Sequence, residues 1–466
     1  MTDEEQDTTI PLNNLHERVR GDVLIHGDEG YDEARQVWNA RIEREPTGIL
    51  RASGAADVMA AVDVARMNDL PLSVKGGGHH VSGSAVCDDG LMIDLSRMNG
   101  VRVDPDAATA RVEAGATWGD IDHETQRFGL AVPGGQDPNI GVAGLTLGGG
   151  VGWLSPKYGL TCDNLLSADV VTAAGELVRA SETNHRDLFW ALRGGGGNFG
   201  IVTSFEFQLH EVGPEIFAGS LIFPFEATEQ VATQYREFMR EAPREVRLLF
   251  GSMELPAVSY YPEVVHDRRV AMLIAFYAGP PAEGRQVLAP LRDHDKILFD
   301  SLRGRPYKKF QQAGDSQGSM RTYLRSQYVE TLSDPVAETI YEFAAAAPSP
   351  GATVFVSPWI GAETDPSTDD TAYPHRDPAH HVLIEARWTD ADRDAEHVDW
   401  VRKAHEALQP YTTGDVEMNF LTDDEPVERL RSAYGTNYDR LVRVKNEWDP
   451  DNIFSKNQNV APDGRH

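Results

Sequence analysis

Short runs of alternating apolar and polar residues, broken by glycine, dominate the first 212 positions. Gly48 to Arg51, Leu72 to Val74, Leu91 to Leu95 and Ala110 to Ala114 read as strands. Ala168 to Thr172 and the strongly alternating Ile201 to Leu209 extend the series. Helical spacing replaces it in three places. Ala55 to Asn68 carries Val58, Val62 and Ala65 on one face. Thr117 caps a predicted helix running to Phe128, and Asp187 to Leu192 forms a third. Past Val212 the glycine clusters stop and the elements lengthen. Ala227 to Arg240 predicts a helix, Val246 to Met253 and Arg269 to Tyr277 predict strands, and Asp399 to Leu408 another helix. The tail predicts one helix from Arg429 to Trp448-Asp449-Pro450, then an extended segment. The pattern divides the chain into 1–212, 213–424 and 425–466, and its fold class is α+β.

Glycine carries the chemistry. Val74-Lys75-Gly76-Gly77-Gly78-His79-His80-Val81-Ser82-Gly83 follows a strand. Glycines bare backbone N–H groups and let a pyrophosphate come close. Gly141 to Gly152 and Arg193 to Gly200 are two further clusters. Gly195, Gly197 and Gly200 spell G-x-G-x-x-G, but a helix precedes them and a strand follows. A nicotinamide-type Rossmann turn needs the reverse order, so that reading is rejected. No G-x-x-x-x-G-K-[ST] occurs. Several separate glycine loops suit one extended ligand such as FAD.

Charge narrows the partners. Over 466 residues, 73 Asp and Glu face 43 Lys and Arg, a net of -30 spread along the chain. An acidic surface of this kind repels nucleic acid and anionic membranes, and it suits a salt-rich cytosol where screening relieves self-repulsion. A halophilic archaeal source is expected. The two cysteines, Cys87 and Cys162, form no framework, and Met1 to Asp7 has no basic or apolar leader, so a cytoplasmic location is expected. A monomer or small homo-oligomer is expected.

Taken together, the motifs resemble the berberine-bridge-enzyme-like FAD-linked oxidases of the vanillyl-alcohol oxidase superfamily. The resemblance rests on Lys75 to His79, Gly141 to Gly144, and Lys157-Tyr158-Gly159-Leu160-Thr161-Cys162-Asp163-Asn164. It continues through Asp187 to Val202, Thr371 to Arg376, Tyr434 to Tyr438, Trp448 to Phe454 and Asn457-Gln458-Asn459. It implies a PCMH-type two-subdomain FAD-binding domain, a substrate domain with an antiparallel sheet flanked by helices, and a tail returning to the FAD domain.

The resemblance also implies residue roles. His79 would bond covalently to the 8α carbon of FAD, with His80 a neighbour. Members with a second, cysteinyl link carry that cysteine where this chain has Asp137, so a single link is implied. Ile140 would gate oxygen, and its bulk points to a dehydrogenase or slow oxidase. The implied FAD-binding set further includes Lys75, Gly76, Gly77, Gly78, Gly83, Asn139, Gly141, Gly144, Thr146, Gly149 and Gly152. Tyr158, Gly159, Asp163, Asn164, Gly200, Ile201, Val202, Asn457 and Gln458 complete it. Tyr434, Tyr438, Glu385 and Arg325 are the catalytic candidates, with Asn437 and Arg387 also placed near the substrate. His375, His380 and His381 lack ligand spacing and are read as a solvated loop with no metal. The expected function is oxidation of a small organic molecule by hydride transfer to FAD, with oxygen or another acceptor. A secondary alcohol or carbohydrate is the first expectation, and an amine or alkaloid-like substrate the alternative. A protein that binds FAD without turnover stays open.

Overall fold

The structure, a computed structural model, describes residues 9–314 and 320–464. Its first sheet has four strands in the order Asp22–Leu24, Gly48–Arg51, Leu91–Asp94, Leu72–Lys75. The last three run parallel. Parallel neighbours need a crossover, and the helix Ala55–Met67 supplies it. That helix buries Val58, Ala61, Val62 and Ala65, the spacing of one helical face. Leu72–Lys75 is an edge strand, and the first glycine loop leaves from its carboxyl end, where open α/β sheets collect ligands.

The second sheet is antiparallel, in the order Val101–Asp104, Thr109–Glu113, Ile201–Gln208, Leu165–Val171, Leu177–Ser181. Phe205 and Phe207 face its core while Ser204 and Glu206 face outward. Inside the second glycine cluster a helix, Val142–Leu147, forms where no helix was expected. One continuous apolar cluster unites both sheets with Ala372, Val416, Met418 and tail residues Ala433 to Val460.

The third sheet has eight antiparallel strands. Its centre is Val246–Leu255, Ala352–Trp359 and Ala379–Trp388, with Arg321–Val329 at one edge. The helices Thr228–Met239, Asp334–Ala345 and Asp394–Leu408 cover one face and share its core. The other face turns toward the glycine loops, with Phe276 packed on Trp153, the residue just after the second cluster.

The tail departs from expectation. Instead of one helix it forms Val427–Tyr434 and Tyr438–Trp448. Gly435 breaks them at φ +48, a conformation that side-chain-bearing residues rarely adopt. Beyond the break Lys445 and Asp449 pair at 2.6 Å with no exposure of either side chain. Lys445 Nζ also donates to the carbonyls of Asn198 (2.8 Å) and Phe454 (3.1 Å), so the buried charge is satisfied and the tail is fastened to the third glycine cluster.

Candidate active site

Two glycine passages meet backbone to backbone. A Cβ on Gly77 would stand 2.3 Å from the nitrogen of Gly141, and one on Gly141 would stand 2.3 Å from that of Gly77. No residue but glycine permits that approach. The third cluster joins through Asn198. Its Nδ2 donates to the carbonyls of Gly195 (2.8 Å) and Gln458 (3.1 Å), and its Oδ1 accepts from the Val460 N–H at 2.9 Å. Asn457 Nδ2 donates to the Gly197 carbonyl at 3.0 Å. Three loops and the tail therefore converge on one cleft.

His79 stands at its end, stacked on Trp38 with ring centroids 5.5 Å apart and planes at 22°. The Trp38 backbone N–H donates to the Gly78 carbonyl at 2.9 Å. Burial pushes the His79 imidazole below its usual range, with Asp137 opposing and Arg387 reinforcing that shift. The ring is thus neutral near pH 7 and keeps a free lone pair. His80 is pushed down to about 4 by burial. Its Nδ1 accepts from the Ser82 N–H at 3.3 Å, which leaves Nε2–H to donate to the Met418 carbonyl, also at 3.3 Å. His80 ties the glycine loop to the segment entering the tail.

The opposite wall is the open face of the eight-stranded sheet. Residues two apart on a strand share a face, so Arg387, Glu385, Leu383 and His381 form one stripe along Ala379–Trp388. At its near end the Arg387 guanidinium lies 5.0 Å over the Trp38 ring. Arg387 Nε approaches Glu385 Oε1 to 2.9 Å, but Nε has no aligned acceptor, so the attraction is Coulombic. Register places Leu324 and Thr353 beside Glu385, and Phe355 beside Leu383. Leu249 and Ile274, paired across two further strands, continue the same face. Around that stripe the face mixes apolar side chains with Thr322, Ser326 and Thr353.

Several candidate residues lie elsewhere. Arg325 pairs with Ile384 and so points to the helix-covered face, where it binds Asp424, Glu425 and Thr422. Tyr434 is fully buried, its hydroxyl bonded to the Gln458 carbonyl and Asn198. Tyr438 packs on the FAD-domain core beneath Arg431. Asn437 Nδ2 donates to the carbonyls of Thr368 and Thr371, fixing a loop rather than facing substrate. Lys75 Nζ reaches away to the carbonyls of Ala34 (2.9 Å) and Gln36 (2.8 Å).

Among the implied FAD contacts, a second group braces the loops from behind. Asp163 pairs with Arg376 at 2.7 Å. Asn164 bonds the carbonyls of Tyr158 and Leu160, and Tyr158 stacks on His210 at 4.1 Å. Thr146 bonds within its own helix. Gly83, Gly149, Gly152, Gly159 and Gly200 each pack against a neighbouring segment. Ile201 and Val202 are core strand residues. Gly76, Gly78, Asn139 and Ile140 stay within the two loops that bound the cleft.

Sequence reasoning missed Trp38, which has no motif around it. It also missed a buried triad. Glu417 Oε2 accepts from the Tyr328 hydroxyl at 2.9 Å and from that of Tyr373, and the two hydroxyls lie 3.0 Å apart. All three are about 1% exposed, and burial pushes the carboxyl up. The triad sets the Met418–Phe420 turn against the second glycine cluster, where Asn419 Nδ2 donates to the Leu145 carbonyl. The three histidines do not form a solvated loop. All are largely buried and each serves a different place: His375 between Asp415 and the Ala433 carbonyl, His380 near Tyr235, His381 against Phe420. Among the described residues no group of three or more His, Cys, Asp or Glu is arranged to hold a metal.

The cleft fits FAD. Gly144 is exposed on its helix with nothing within 4 Å of where its Cβ would lie, a clear floor for a flat ligand. Asn457 Oδ1 and Asn459 Oδ1 are buried beside the third cluster without partners. Such orphaned acceptors call for a donor that the protein itself does not supply. Backbone amides around the clusters suit pyrophosphate. The fold and the cleft define a flavoprotein.

Comparison with known proteins agrees. Residues 46–181 match the FAD binding domain family, and residues 418–461 match the family described as berberine and berberine like. The chain is 32% identical over 454 residues to the FAD-linked oxidoreductase YgaK of Bacillus subtilis, covering 96% of this chain and 98% of the relative. It is 31% identical over 464 residues to the (R)-6-hydroxynicotine oxidase of Paenarthrobacter nicotinovorans, covering 96% and 98%. The crystal structure of 6-hydroxy-D-nicotine oxidase from Arthrobacter nicotinovorans superposes with a TM-score of 0.86 at 30% identity, over 96% of this chain and 98% of that one. A chitooligosaccharide oxidase shares the fold with a TM-score of 0.86 at 23% identity, over 97% of this chain and all of that one. The protein belongs to the berberine-bridge-enzyme-like FAD-linked oxidoreductases, and it is an oxidoreductase enzyme of PCMH-type fold.

Proposed function

We propose that the enzyme holds FAD through a single bond to His79 and oxidises a compact, largely apolar amine in the space under the eight-stranded sheet. The chemistry that bound FAD supplies is acceptance of a hydride from a carbon next to nitrogen or oxygen, followed by reoxidation by oxygen or another acceptor. The protein's part is placement and proton handling. His79 offers a neutral nitrogen at the cleft end. Neither cysteine competes: Cys87 lies near the carbonyls of Pro71 and Leu91, and Cys162 beside Asp163. Glu385 is the acid-base group on the substrate side. It can take the proton that the amine loses, and the Arg387 Nε lies 2.9 Å from its carboxylate.

One observation carries the choice of substrate. The larger side chains around Glu385, beyond its neighbour Thr353, are Leu324, Leu383, Phe355, Leu249 and Ile274, which reward apolar contact. An oligosaccharide presents hydroxyls on every edge and would leave those against the leucines, Phe355 and Ile274 unpaired. Of the two substrate classes open from the sequence, this wall supports the amine over the first-expected carbohydrate or secondary alcohol. The name of the nicotine-oxidising relative supports the same reading. Ile140 at the loop edge supports slow use of oxygen.

Acid precipitation tests the attachment. Yellow in the washed wild-type pellet and none in that of His79→Ala is expected; flavin left wholly in the wild-type supernatant would overturn the bond. Anaerobic mixing with a panel of cyclic amines, secondary alcohols and sugars tests the substrate. Bleaching of the flavin by amines is expected, and bleaching by sugars alone would refute the choice.

A further inference from the structure

Trp38 joins the two walls beside His79. Its ring stacks on the imidazole, centroids 5.5 Å apart, and lies under the Arg387 guanidinium at 5.0 Å. The backbone around it fixes both neighbours. The Trp38 N–H donates to the carbonyl of Gly78, the residue before His79. Asn39, 1% exposed, donates from Nδ2 to the Val81 carbonyl at 2.8 Å and accepts at Oδ1 from the Thr322 N–H at 3.0 Å. Thr322 is the strand partner of Arg387. Two consecutive residues therefore hold the histidine loop and the sheet in one register. Stacking engages the face of the imidazole and leaves its edge, where both ring nitrogens lie, clear of Trp38.

We propose that Trp38 and Arg387 are positioning residues for flavin attachment: Trp38 sets the plane of the His79 ring, and the Arg387 charge holds that ring in the form that attacks. A histidine bonds to carbon only through a free lone pair, so protonation stops the reaction. Burial weakens the hold of His79 on a second proton, and the Arg387 charge acts in the same direction. Asp137, on the second glycine passage, acts against both. On the histidine loop itself Lys75 turns to Ala34 and Gln36, and His80 to Met418. From the sheet, Glu385 lies beyond Arg387. In the attachment step an imidazole nitrogen bonds to the 8α carbon, one C–H bond of that methyl breaks and the imidazole N–H is lost. The flavin ring takes up the two electrons and two protons, and oxygen then removes them as hydrogen peroxide. This inference rests on the reading of His79 as the attachment residue.

Full-length protein made in riboflavin-starved cells, given FAD and precipitated with acid over time at about pH 5.5 and pH 8, tests it. Flavin in the washed pellet reports attachment, and flavin kept through gel filtration before acid reports binding. Arg387→Met is expected to attach roughly threefold more slowly than wild type at the lower pH and at the wild-type rate at the higher, because its imidazole keeps a proton to higher pH. Arg387→Lys, which retains the charge, is expected to restore the rate. Trp38→Leu is expected to slow attachment about tenfold at both pH values with FAD still bound, and Trp38→Phe, which retains a flat face, to recover most of the loss. Equal slowing of Arg387→Met at both pH values, or loss of FAD binding in these variants, overturns the proposal and makes the two residues plain supports of the loop. Attached flavin in wild type with wild-type rates in Arg387→Met and Trp38→Leu sinks this inference alone. A wild-type pellet without flavin, from protein that held FAD before acid, sinks the attachment reading and this inference with it.

Discussion

The two walls of the cleft are built by opposite means. The FAD side is made of backbone: Gly77 against Gly141, an open Gly144, and Asn198 gathering three segments by their carbonyls and amides. The sheet side is made of side chains on a pleated surface, read two residues at a time along Ala379–Trp388. Where Gly77 meets Gly141, the first wall tolerates no added atom. The second is expected to accept exchange of one apolar group for another at modest cost, as volume-conserving swaps usually do. A family can thus keep one cofactor and change its substrates.

That contrast breaks first at Gly141. Gly141→Val places side-chain atoms into the Gly77 backbone and is expected to abolish flavin retention, measured as the ratio of flavin to protein after gel filtration. Phe355→Leu on the other wall is expected to leave that ratio unchanged. Next in size, Glu385→Gln is expected to lower kcat by roughly 10²–10⁴-fold with flavin content intact, as for loss of a general base. An unaltered kcat would return Glu385 to a structural role.

The seam between the walls offers a third test. Asp122, on Trp118–Thr125, is buried and receives one bond from Gln311 Nε2 at 3.2 Å, across from the cap helix Tyr307–Gln311. Burial pushes its carboxyl up to about 7. The folded value lies above the unfolded one, so this group's stabilising contribution is full below about pH 4 and is lost as pH rises through about 7. Asp122→Asn is expected to remove that slope and to make the protein more stable above pH 7 by up to roughly 4 kcal/mol. Denaturant unfolding at pH 5 and pH 8 would show it, and parallel losses at both values would refute it. The smallest effect is expected at Ile140→Val, a few-fold rise in the rate of flavin reoxidation by oxygen, followed by stopped flow.

The backbone wall was the more legible one. Three glycine clusters announced it, because glycine is the only residue that brings two main chains within touching distance. Which glycine packs against its neighbours and which faces open space was not legible. Gly144 faces open space, whereas a Cβ on Gly152 would fall 1.7 Å from the Gly134 carbonyl oxygen, yet both are simply glycine in the sequence. The side-chain wall was harder. Arg321–Val329 is buried on both faces, so its alternation disappears and Arg325 looked equivalent to Glu385. One residue of parity separates the two faces, and only strand pairing fixes it. Tyr434 and Tyr438 carried motif context but sit in the core, while Trp38, which stacks on His79, had none.

The fastening of the tail has a consequence for how the enzyme is made. Lys445, Asp449 and Val460 are what hold the third cluster closed through Asn198, and they are synthesised some 250 residues after it. On the ribosome the first two glycine loops emerge early but can enclose nothing until the strap arrives. Firm cofactor retention is therefore expected only after the last residues are made, and a chain arrested before residue 445 lacks the strap. Such an arrested chain should release all flavin on washing, while one extended past Val460 should keep it.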